Sequence, residues 1–249
     1  MLKLINLDIP LVNYCNLNCY ACSGNYPLCQ YPKNYNISDL ENHLKIVSKF
    51  IIPNRCVITG GEPTLHPQLL KCVMLVRKYF PNTELSMFTN GTILNEQIID
   101  AYNFVDKVRI SFYQDKYSKQ RESIIRILKS INDTCKVDVV VIKNFKTMLC
   151  ENQSTDKELT DRIFDKCLAR LNRWCRAGLV DGVLCRCDTA LCLPTRHLDA
   201  LVVDDNLTEQ DITNHFVDEP LNGCKYCCGT SGSKIRHKQI KDKSTYTLP

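Results

Sequence analysis

The sequence lacks any apolar run long enough to cross a membrane, and it lacks a secretory signal. No apolar stretch approaches the ~20 residues that a membrane-spanning helix needs. The N-terminal stretch MLKLINLDIPLVNYC does not combine a charged start, an apolar core and a small-residue cleavage site. These absences predict a cytoplasmic protein that makes no contact with membranes.

Charge of one sign is also scarce outside the C-terminus. The formal net charge is +5, and the tail Ser233–Pro249 holds +4 of it, from Lys234, Arg236, Lys238, Lys241 and Lys243 against Asp242. The rest of the chain is therefore close to neutral, without the basic face that nucleic-acid-binding proteins carry. We interpret the tail as a solvated basic segment and do not expect nucleic acid as a partner.

Cysteine, by contrast, is abundant, with 16 in 249 residues. This is still below the ~8–10% that is typical of disulfide-built miniproteins. A chain of this length with 44% hydrophobic residues can bury a core of its own. Because the cytosol keeps thiols reduced, the excess indicates metal binding, redox chemistry or simple burial rather than disulfides.

Apolar periodicity predicts strands that alternate with helices as far as Ile142. The predicted strands are Leu4–Val12, Arg55–Thr59, Glu84–Thr89, Val105–Phe112 and Lys136–Ile142, and the predicted helices are Ser38–Phe50, Pro67–Tyr79, Asn95–Ala101 and Ser118–Ile131. Such alternation is typical of an α/β fold with a parallel sheet and right-handed crossovers. In such sheets the ligand lies at the carboxyl ends of the strands.

After this region the chain no longer alternates regularly between predicted strands and helices. We predict a helix at Asp156–Leu171, a hairpin with Asp181-Gly182 as its two-residue turn, and a helix near Thr208–Phe216. The expected organisation is therefore a core at residues 1–148, a small cysteine-rich α+β domain at 149–232, and a basic tail at 233–249.

The first cysteine motif places Cys15, Cys19 and Cys22 as C-x3-C-x2-C directly after the first predicted strand. A loop this short can bend three sulfurs around one face of an iron–sulfur cluster, for which thiolates are the usual ligands. Three ligands leave one iron of a four-iron cluster open. Three buried cysteines, or zinc with a distant fourth ligand, remain alternatives on spacing alone.

Polar residues also follow the next three predicted strands. Thr59-Gly60-Gly61-Glu62-Pro63 ends the second strand, Thr89-Asn90-Gly91 ends the third, and Ser111 lies near the end of the fourth. Two glycines allow the backbone to approach a ligand, and a neighbouring carboxylate can bind an ammonium group. The coincidence of these strand ends indicates one ligand site at that edge of the sheet.

The C-x3-C-x2-C motif followed by GGEP resembles the radical S-adenosylmethionine (radical SAM) enzymes, from Leu4 to about Ile142. The resemblance implies a partial, truncated parallel β/α barrel of about five strands and four helices. It implies that Cys15, Cys19 and Cys22 bind a [4Fe-4S] cluster whose open iron is chelated by SAM. The SAM-contacting positions that it implies are Gly60, Gly61, Glu62, Pro63, Thr89, Asn90 and Ser111. The position before the third cysteine is often aromatic in the family, but here it is Ala21, so Tyr20 is the aromatic candidate for a contact with adenine.

The C-terminal cysteines resemble those of the twitch domain, a shortened relative of the SPASM auxiliary-cluster domain. The shared features are a hairpin carrying DGxLxxC and a late C-x2-C. The match implies a second [4Fe-4S] cluster with the ligands Cys175, Cys187, Cys224 and Cys227. Because strict strand alternation would point Cys175 away from Cys187, Cys167 is held in reserve as the replacement. Buried or zinc-bound thiols remain the alternative.

A truncated core with a twitch-like domain also resembles a radical SAM aminocyclitol dehydrogenase and related epimerases. This predicts an enzyme that cleaves SAM to a 5′-deoxyadenosyl radical and oxidises or epimerises a carbohydrate-like hydroxylated metabolite. The alternatives are a radical SAM maturase of a peptide or protein, a glycyl-radical activase, and a non-enzymatic metal-cluster-binding protein.

The remaining predictions concern partners and substrate contacts. We expect a small-molecule substrate and an external reductant such as flavodoxin or ferredoxin. Tyr113 and Lys143 follow the fourth and fifth strands and are the candidate catalytic residues, although structural roles are the more common ones for such positions. Cys29 and Cys56 are candidate hydrogen donors for an epimerase, against the simpler reading as inert buried thiols.

Overall fold

The computed structural model describes residues 1–28, 31–113, 115–131, 135–150, 153–167, 176–187, 196–229 and 232–241. No helix in these ranges is both long and apolar enough to span a bilayer. The cytoplasmic location stays a prediction. Cys29, the end of the helix expected at 156–171, and the tail from Asp242 onward lie outside the described residues.

Five parallel strands and four helices form the core, in the order that the sequence predicts. The strands are β1 (Leu2–Pro10), β2 (Ile51–Thr59), β3 (Glu84–Thr89), β4 (Lys107–Tyr113) and β5 (Lys136–Ile142), and the helices are α1 (Ile37–Val47), α2 (Leu69–Tyr79), α3 (Glu96–Tyr102) and α4 (Ser118–Ile131). The strands lie side by side in the order β5-β4-β3-β2-β1. The predicted fold, a partial parallel β/α barrel, is confirmed.

Apolar faces of the helices pack on the sheet and enclose the core. Leu40, Leu44 and Val47 of α1 are fully buried, and so are Ile9 of β1 and Ile58 of β2. Helix α1 begins before the predicted start because the Asn36 side chain accepts hydrogen bonds from the backbone N–H groups of Ser38 and Asp39.

The predicted hairpin is present and extends the core sheet. Strands β7 (Arg176–Val180) and β8 (Val183–Cys185) pair antiparallel, with Val180 opposite Val183. Asp181 and Gly182 both have positive φ, at 50° and 77°, as a tight two-residue hairpin turn requires. Strand β7 also pairs in parallel with β1.

The other elements of the C-terminal part are short. They are helix α5 (Lys157–Asp165), helix α6 (Arg196–Asp199), strand β9 (Ala200–Val202), which pairs with β8, and helix α7 (Glu209–His215). Thr208 and Asp211 form a reciprocal capping box at the start of α7. The predicted helix near Thr208–Phe216 therefore corresponds to α7.

The basic segment folds back onto the core. Strand β10 (Lys234–Arg236) pairs antiparallel with β6 (Asn144–Lys146), directly after β5. We call residues 232–241 the C-terminal strap. Its lysine and arginine side chains are exposed, as the sequence analysis expects, but its backbone is paired rather than free. The regional limits 1–148, 149–232 and 233–249 stay a prediction.

Candidate cofactor site

The loop after β1 and the carboxyl ends of β2, β3 and β4 enclose a cavity of about 280 Å³. Most of the predicted site residues line it, namely Cys15, Cys19, Cys22, Gly60, Gly61, Glu62, Thr89, Asn90, Ser111 and Tyr113. Parallel topology explains this convergence, because it brings the carboxyl ends of neighbouring strands to one edge.

Three predicted residues lie away from the lining of this cavity. Pro63 is buried and begins a 3-10 turn. The Tyr20 ring lies under the Lys238 ammonium, 4.3 Å from the ring centroid. The backbone carbonyl of Lys143 accepts a hydrogen bond from the strap. Their predicted roles therefore have less geometric support than those of the cavity residues.

The three thiols of the first motif are surrounded by hydrogen-bond partners. The Cys15 sulfur lies 3.3 Å from the backbone nitrogen of Leu17 and 3.5 Å from Nδ2 of Asn90. The Cys19 sulfur lies 3.3 Å from Nε2 of His237. Backbone N–H groups of residues 24–26 hydrogen-bond to Cys22 and favour its thiolate. Such donors stabilise sulfur that carries negative charge, as metal-bound thiolate does.

Ionisation of these thiols is unfavourable without a metal. The pKa of Cys15 is raised to about 12, chiefly by burial; the charges of Glu62 and Cys22 act in the same direction, and the hydrogen bond from Leu17 opposes them. Burial, with Cys22 and Cys15 nearby, also raises the pKa of Cys19. A cationic iron centre would offset this cost, because metal binding displaces the thiol protons.

The three thiols of the first motif are the donor type that an iron–sulfur cluster needs. Their residues all line one cavity. The donor set and its surroundings therefore fit a multi-iron cluster.

Gly60 and Gly61 let the loop after β2 press against the first cysteine loop. A Cβ on Gly61 would lie 1.9 Å from the Tyr14 carbonyl oxygen, and one on Gly60, whose φ is +136°, would lie 2.5 Å from that of Val12. The N–H groups of Gly61 and Glu62 donate to the carbonyls of Val12 and Tyr14, each at 3.0 Å. Both glycines are therefore required by backbone packing, in addition to any contact with a ligand.

Glu62 is buried, with 1% of its surface exposed. Its Oε1 accepts hydrogen bonds from the Thr64 hydroxyl at 2.6 Å and the Thr89 hydroxyl at 2.7 Å, and its Oε2 accepts from the backbone N–H of Asn90 at 2.7 Å. Burial raises the pKa of this carboxyl, and these hydrogen bonds oppose the rise. Since Oε2 accepts one hydrogen bond, it has capacity for another from an ammonium group.

Asn90 joins the end of β3 to the cysteine loop. Its Nδ2 donates to Oδ1 of Asn16 at 2.9 Å and approaches Cys15, while its Oδ1 accepts from the Thr92 hydroxyl at 2.6 Å. The amide therefore helps to organise the loop. Gly91 follows with φ +63°, a conformation that a side chain would strain.

Sequence reasoning missed two buried groups at this site. Arg121 of α4 is fully buried, donates from Nε to the Asn90 carbonyl at 2.6 Å, and forms a two-pronged ion pair with Asp115 at 2.6 and 2.7 Å. Arg121 shares a helix face with Ile124 and Leu128, so an arginine on an apolar face was the available signal. His237 carries no such signal, because it lies within the basic tail.

The second cysteine group is partly within the described residues. Cys175 lies outside them. Cys224 lies within a 3-10 turn (Asn222–Tyr226) and Cys227 follows it directly. The Asp199 carboxylate holds the start of this turn by accepting hydrogen bonds from the backbone N–H groups of Asn222 and Gly223 at 2.8 and 2.7 Å. Cys187 and Cys224 both pack against the small cluster around Cys185.

Cys167, the predicted reserve ligand, lies close to the C-x2-C turn. The pKa of Cys224 is raised to about 11, chiefly by burial, and the charges of Cys227 and Cys167 contribute to this rise. The Cys167 charge also contributes to the raised pKa of Cys227, after burial. Cys150 and Cys228 form a pair that the sequence analysis did not predict, with their sulfurs 3.6 Å apart. The auxiliary cluster and its ligands stay a prediction.

The family model of the radical SAM superfamily matches residues 9–148, which is more than half of the chain. The chain therefore belongs to the radical SAM superfamily, as its cysteine and GGEP motifs predict. Members of this family use a [4Fe-4S] cluster and SAM, so the prediction of these two cofactors is confirmed.

Two similar proteins are named as probable GTP 3′,8-cyclases. The one from Thermoplasma volcanium is 31% identical over 163 residues, covering 56% of this chain and 46% of the relative. The one from Pyrococcus abyssi is 29% identical over 168 residues, covering 64% and 51%. The chain thus spans about half the length of these relatives. Their names do not support the predicted carbohydrate-like substrate.

Two solved structures share the fold. BtrN in complex with AdoMet and 2-DOIA has a TM-score of 0.57 at 14% identity, covering 92% of this chain and 94% of BtrN. The protein anSMEcpe with bound AdoMet has a TM-score of 0.57 at 17% identity, covering 91% and 83%. At these identities the likeness shows the fold alone.

Proposed function

We propose that this chain is a radical SAM enzyme that reductively cleaves SAM and abstracts hydrogen from a carbon of a small hydroxylated, carbohydrate-like substrate, which it oxidises or epimerises. The observation that carries the proposal is the single cavity shared by Cys15, Cys19, Cys22 and the strand-end residues of β2 and β3. A structural metal site has no need of a ligand cavity next to its thiols.

Different residues of the cavity would bind the cluster and SAM. Cys15, Cys19 and Cys22 would hold the [4Fe-4S] cluster, and Glu62 would bind the amino group of SAM through Oε2. When bound, the cluster supplies the electron that converts SAM to a 5′-deoxyadenosyl radical. Gly60, Gly61, Thr89, Asn90 and Ser111 would orient SAM, and closely packed walls would exclude water and stray hydrogen donors.

The remaining wall of the cavity is suited to a small polar substrate. Asp8 and Ser111 provide polar groups beside the apolar side chains of Phe88, Val140 and Ile142. Polar groups that converge among apolar side chains are typical of small-molecule sites. Tyr113 lines the same cavity and remains a candidate for substrate contact, whereas Lys143 lies outside its lining.

The names of the relatives favour a second candidate, cyclisation of a purine nucleotide. A triphosphate is usually bound by several cations. In the described part of the cavity lining, Arg109 is the one lysine or arginine, and its Nε is paired with Asp138 at 3.0 Å. This charge distribution favours the hydroxylated, carbohydrate-like substrate.

We also propose an auxiliary [4Fe-4S] cluster held by Cys187, Cys224, Cys227 and either Cys175 or Cys167. The support is that three of these thiols lie at or beside the C-x2-C turn. A fully ligated cluster fits electron transfer, since a carbon radical next to a hydroxyl must release one electron and the hydroxyl proton to become a carbonyl, and the cluster would accept the electron.

An external one-electron donor, such as flavodoxin or ferredoxin, would reduce the first cluster. Support comes from the strap, whose exposed Lys234, Lys238 and Lys241 lie along the segment that pairs with the first cysteine loop. Such a positive surface suits an acidic carrier protein. No membrane or nucleic acid partner is proposed.

Anaerobic reconstitution tests the radical SAM assignment. We expect about eight irons per chain from two clusters, and 5′-deoxyadenosine on reduction with SAM. Replacing Cys15, Cys19 and Cys22 with alanine should abolish 5′-deoxyadenosine formation, whereas the control Cys56→Ala, in the buried part of β2, should retain it. Persistent formation in the triple variant would refute the assignment.

The mass of the product then separates the substrate proposals. With hydroxylated metabolites as probes, loss of two hydrogens indicates dehydrogenation and an unchanged mass indicates epimerisation. Conversion of GTP, with no turnover of these metabolites, would establish the second candidate instead.

A further inference from the structure

The C-terminal strap lies directly against the first cysteine loop. Cys19 forms an antiparallel bridge with Gln239, the Tyr20 N–H donates to the Lys238 carbonyl at 2.9 Å, and the Ile240 N–H donates to the Asn18 carbonyl at 2.8 Å. The strap therefore forms part of the wall behind the predicted ligand Cys19, although it is 218 residues away in sequence.

The strap inserts one buried side chain into this wall. The His237 ring is 6% exposed, and its Nε2 lies 3.3 Å from the Cys19 sulfur. The ring centroid lies 4.8 Å from that of Tyr113 and 5.6 Å from that of Phe145. The backbone N–H of His237 also donates to the backbone carbonyl of Lys143 at 2.9 Å. Ring stacking and backbone pairing thus hold Nε2 of His237 next to the Cys19 sulfur.

We propose that His237 is a positioning residue that donates a hydrogen bond from Nε2 to the Cys19 thiolate and raises the reduction potential of the first cluster. The inference rests on the proposed function, in which Cys19 ligates that cluster. An iron-bound thiolate has no proton to donate, so a hydrogen bond at this distance requires the N–H on His237.

The direction of the effect follows from charge. Reduction adds an electron to the cluster and increases the negative charge on its sulfurs, so a donor to sulfur stabilises the reduced state more than the oxidised state. Among the described residues, Nδ1 of His237 is buried without a hydrogen-bond partner. The N–H to Cys19 is therefore the polar contact that the ring makes within this part of the protein.

Redox titration of the reconstituted protein tests the inference. The electron paramagnetic resonance signal of the first cluster is identified by its change on addition of SAM, and its midpoint potential is compared among variants. His237→Phe keeps an aromatic ring but removes the donor, and His237→Gln keeps a donor. Gln239→Ala is the control, because it lies on the same strap with an exposed side chain.

We expect a lower midpoint potential in His237→Phe, with a roughly fivefold smaller ratio of reduced to oxidised cluster at the wild-type midpoint. His237→Gln should restore most of the ratio, and Gln239→Ala should match the wild type. Loss of the first cluster from His237→Phe alone, in a folded chain, would also support the need for a donor.

Two outcomes overturn the inference. One is an unchanged midpoint in His237→Phe, and the other is an equal shift or equal cluster loss in His237→Phe and His237→Gln, which would indicate a steric role. Both differ from a failure of the proposed function, in which the wild-type chain itself binds no iron.

Discussion

The Glu62 carboxylate accepts a hydrogen bond from the backbone N–H of Asn90 at 2.7 Å, and this contact ties the loop after β2 to the end of β3. The same carboxylate also holds the hydroxyls of Thr64 and Thr89. Every one of these partners donates to Glu62. The carboxylate therefore organises two strand ends before any ligand binds.

Replacing this carboxylate with an amide should disrupt the junction. In Glu62→Gln, an NH2 group would face N–H and O–H donors, so at least one buried donor would lose its acceptor. We expect the free energy of unfolding to fall by about 1–3 kcal/mol, and the affinity for SAM to fall as well. Denaturant unfolding and SAM titration measure the two effects.

Glu96→Gln is the matched control, because Glu96 lies exposed in the first turn of α3. Its unfolding free energy should stay within about 0.5 kcal/mol of the wild type. Equal stability of the two variants would contradict the role given to Glu62.

Close backbone packing makes Gly61 the most restricted position of the loop. An alanine methyl group there would lie 1.9 Å from the Tyr14 carbonyl oxygen, so one of the two backbones must move. We expect Gly61→Ala to cost about 1–3 kcal/mol and to lower the iron content on reconstitution. Thermal unfolding and iron analysis provide the measurements.

Gly24→Ala provides the comparison, because its methyl group would meet only the Tyr26 ring among its nearest neighbours, and a side chain can rotate away. It should retain more iron than Gly61→Ala. If both variants load iron like the wild type, the close approach at Gly61 is not a requirement for the site.

The buried ion pair of Arg121 and Asp115 also supports the cavity. Their side chains are 0% and 6% exposed, and Arg121 holds the Asn90 carbonyl as well. Arg121→Met would leave the Asp115 charge buried without its partner, at a cost of about 3–5 kcal/mol. The double variant Arg121→Met with Asp115→Asn should be destabilised by less than the sum of the single variants, which a double-mutant cycle measures. Additive losses would show that the two side chains do not interact.

Sequence patterns predicted the fold because each element carries its own signal. The apolar face of α4 can be read from the residues of that helix alone, and the hairpin turn can be read from Asp181-Gly182 alone. The convergence of Cys15, Glu62 and Asn90 also followed from sequence, since parallel strands bring their carboxyl ends together.

Contacts between segments that are distant in the chain could not be predicted from the sequence. His237 lies in a tail whose composition indicates only solvation, and its approach to Cys19 depends on the pairing of β10 with β6. The contact of Gly61 with Tyr14 depends on loop shape rather than residue pattern. Only the three-dimensional structure shows that Arg121 is buried and is not an ordinary solvated charge.

The raised pKa of Cys15 predicts a pH dependence for its alkylation in the metal-free protein. Thiolate is the reactive form, and burial raises the pKa of this thiol to about 12. The alkylation rate should therefore rise roughly tenfold per pH unit through pH 10 without levelling off. In the urea-unfolded chain the rate should level off above about pH 9, near the pKa of a free thiol. Peptide mass spectrometry measures both rates. The same plateau in the folded chain would contradict the raised pKa of Cys15.

Cys167 is a candidate for the fourth ligand of the auxiliary cluster. The Cys167 thiol lies near enough to Cys224 and Cys227 to contribute to the raised pKa of each, after burial. We therefore expect Cys167→Ala to lower the iron content from about eight to about four per chain, while the first cluster still cleaves SAM. Iron and 5′-deoxyadenosine are measured on the same preparation.

Cys175→Ala and Cys228→Ala serve as the comparisons. If Cys167 is the ligand, both should retain about eight irons, because neither removes a cluster sulfur. Retention of iron by Cys167→Ala with its loss from Cys175→Ala would instead assign the ligand to Cys175. Strict strand alternation predicts that Cys175 points away from Cys187, so that result would require a departure from this alternation. Cys167 lies two residues after the end of α5, and its use as the ligand is independent of the strand pattern.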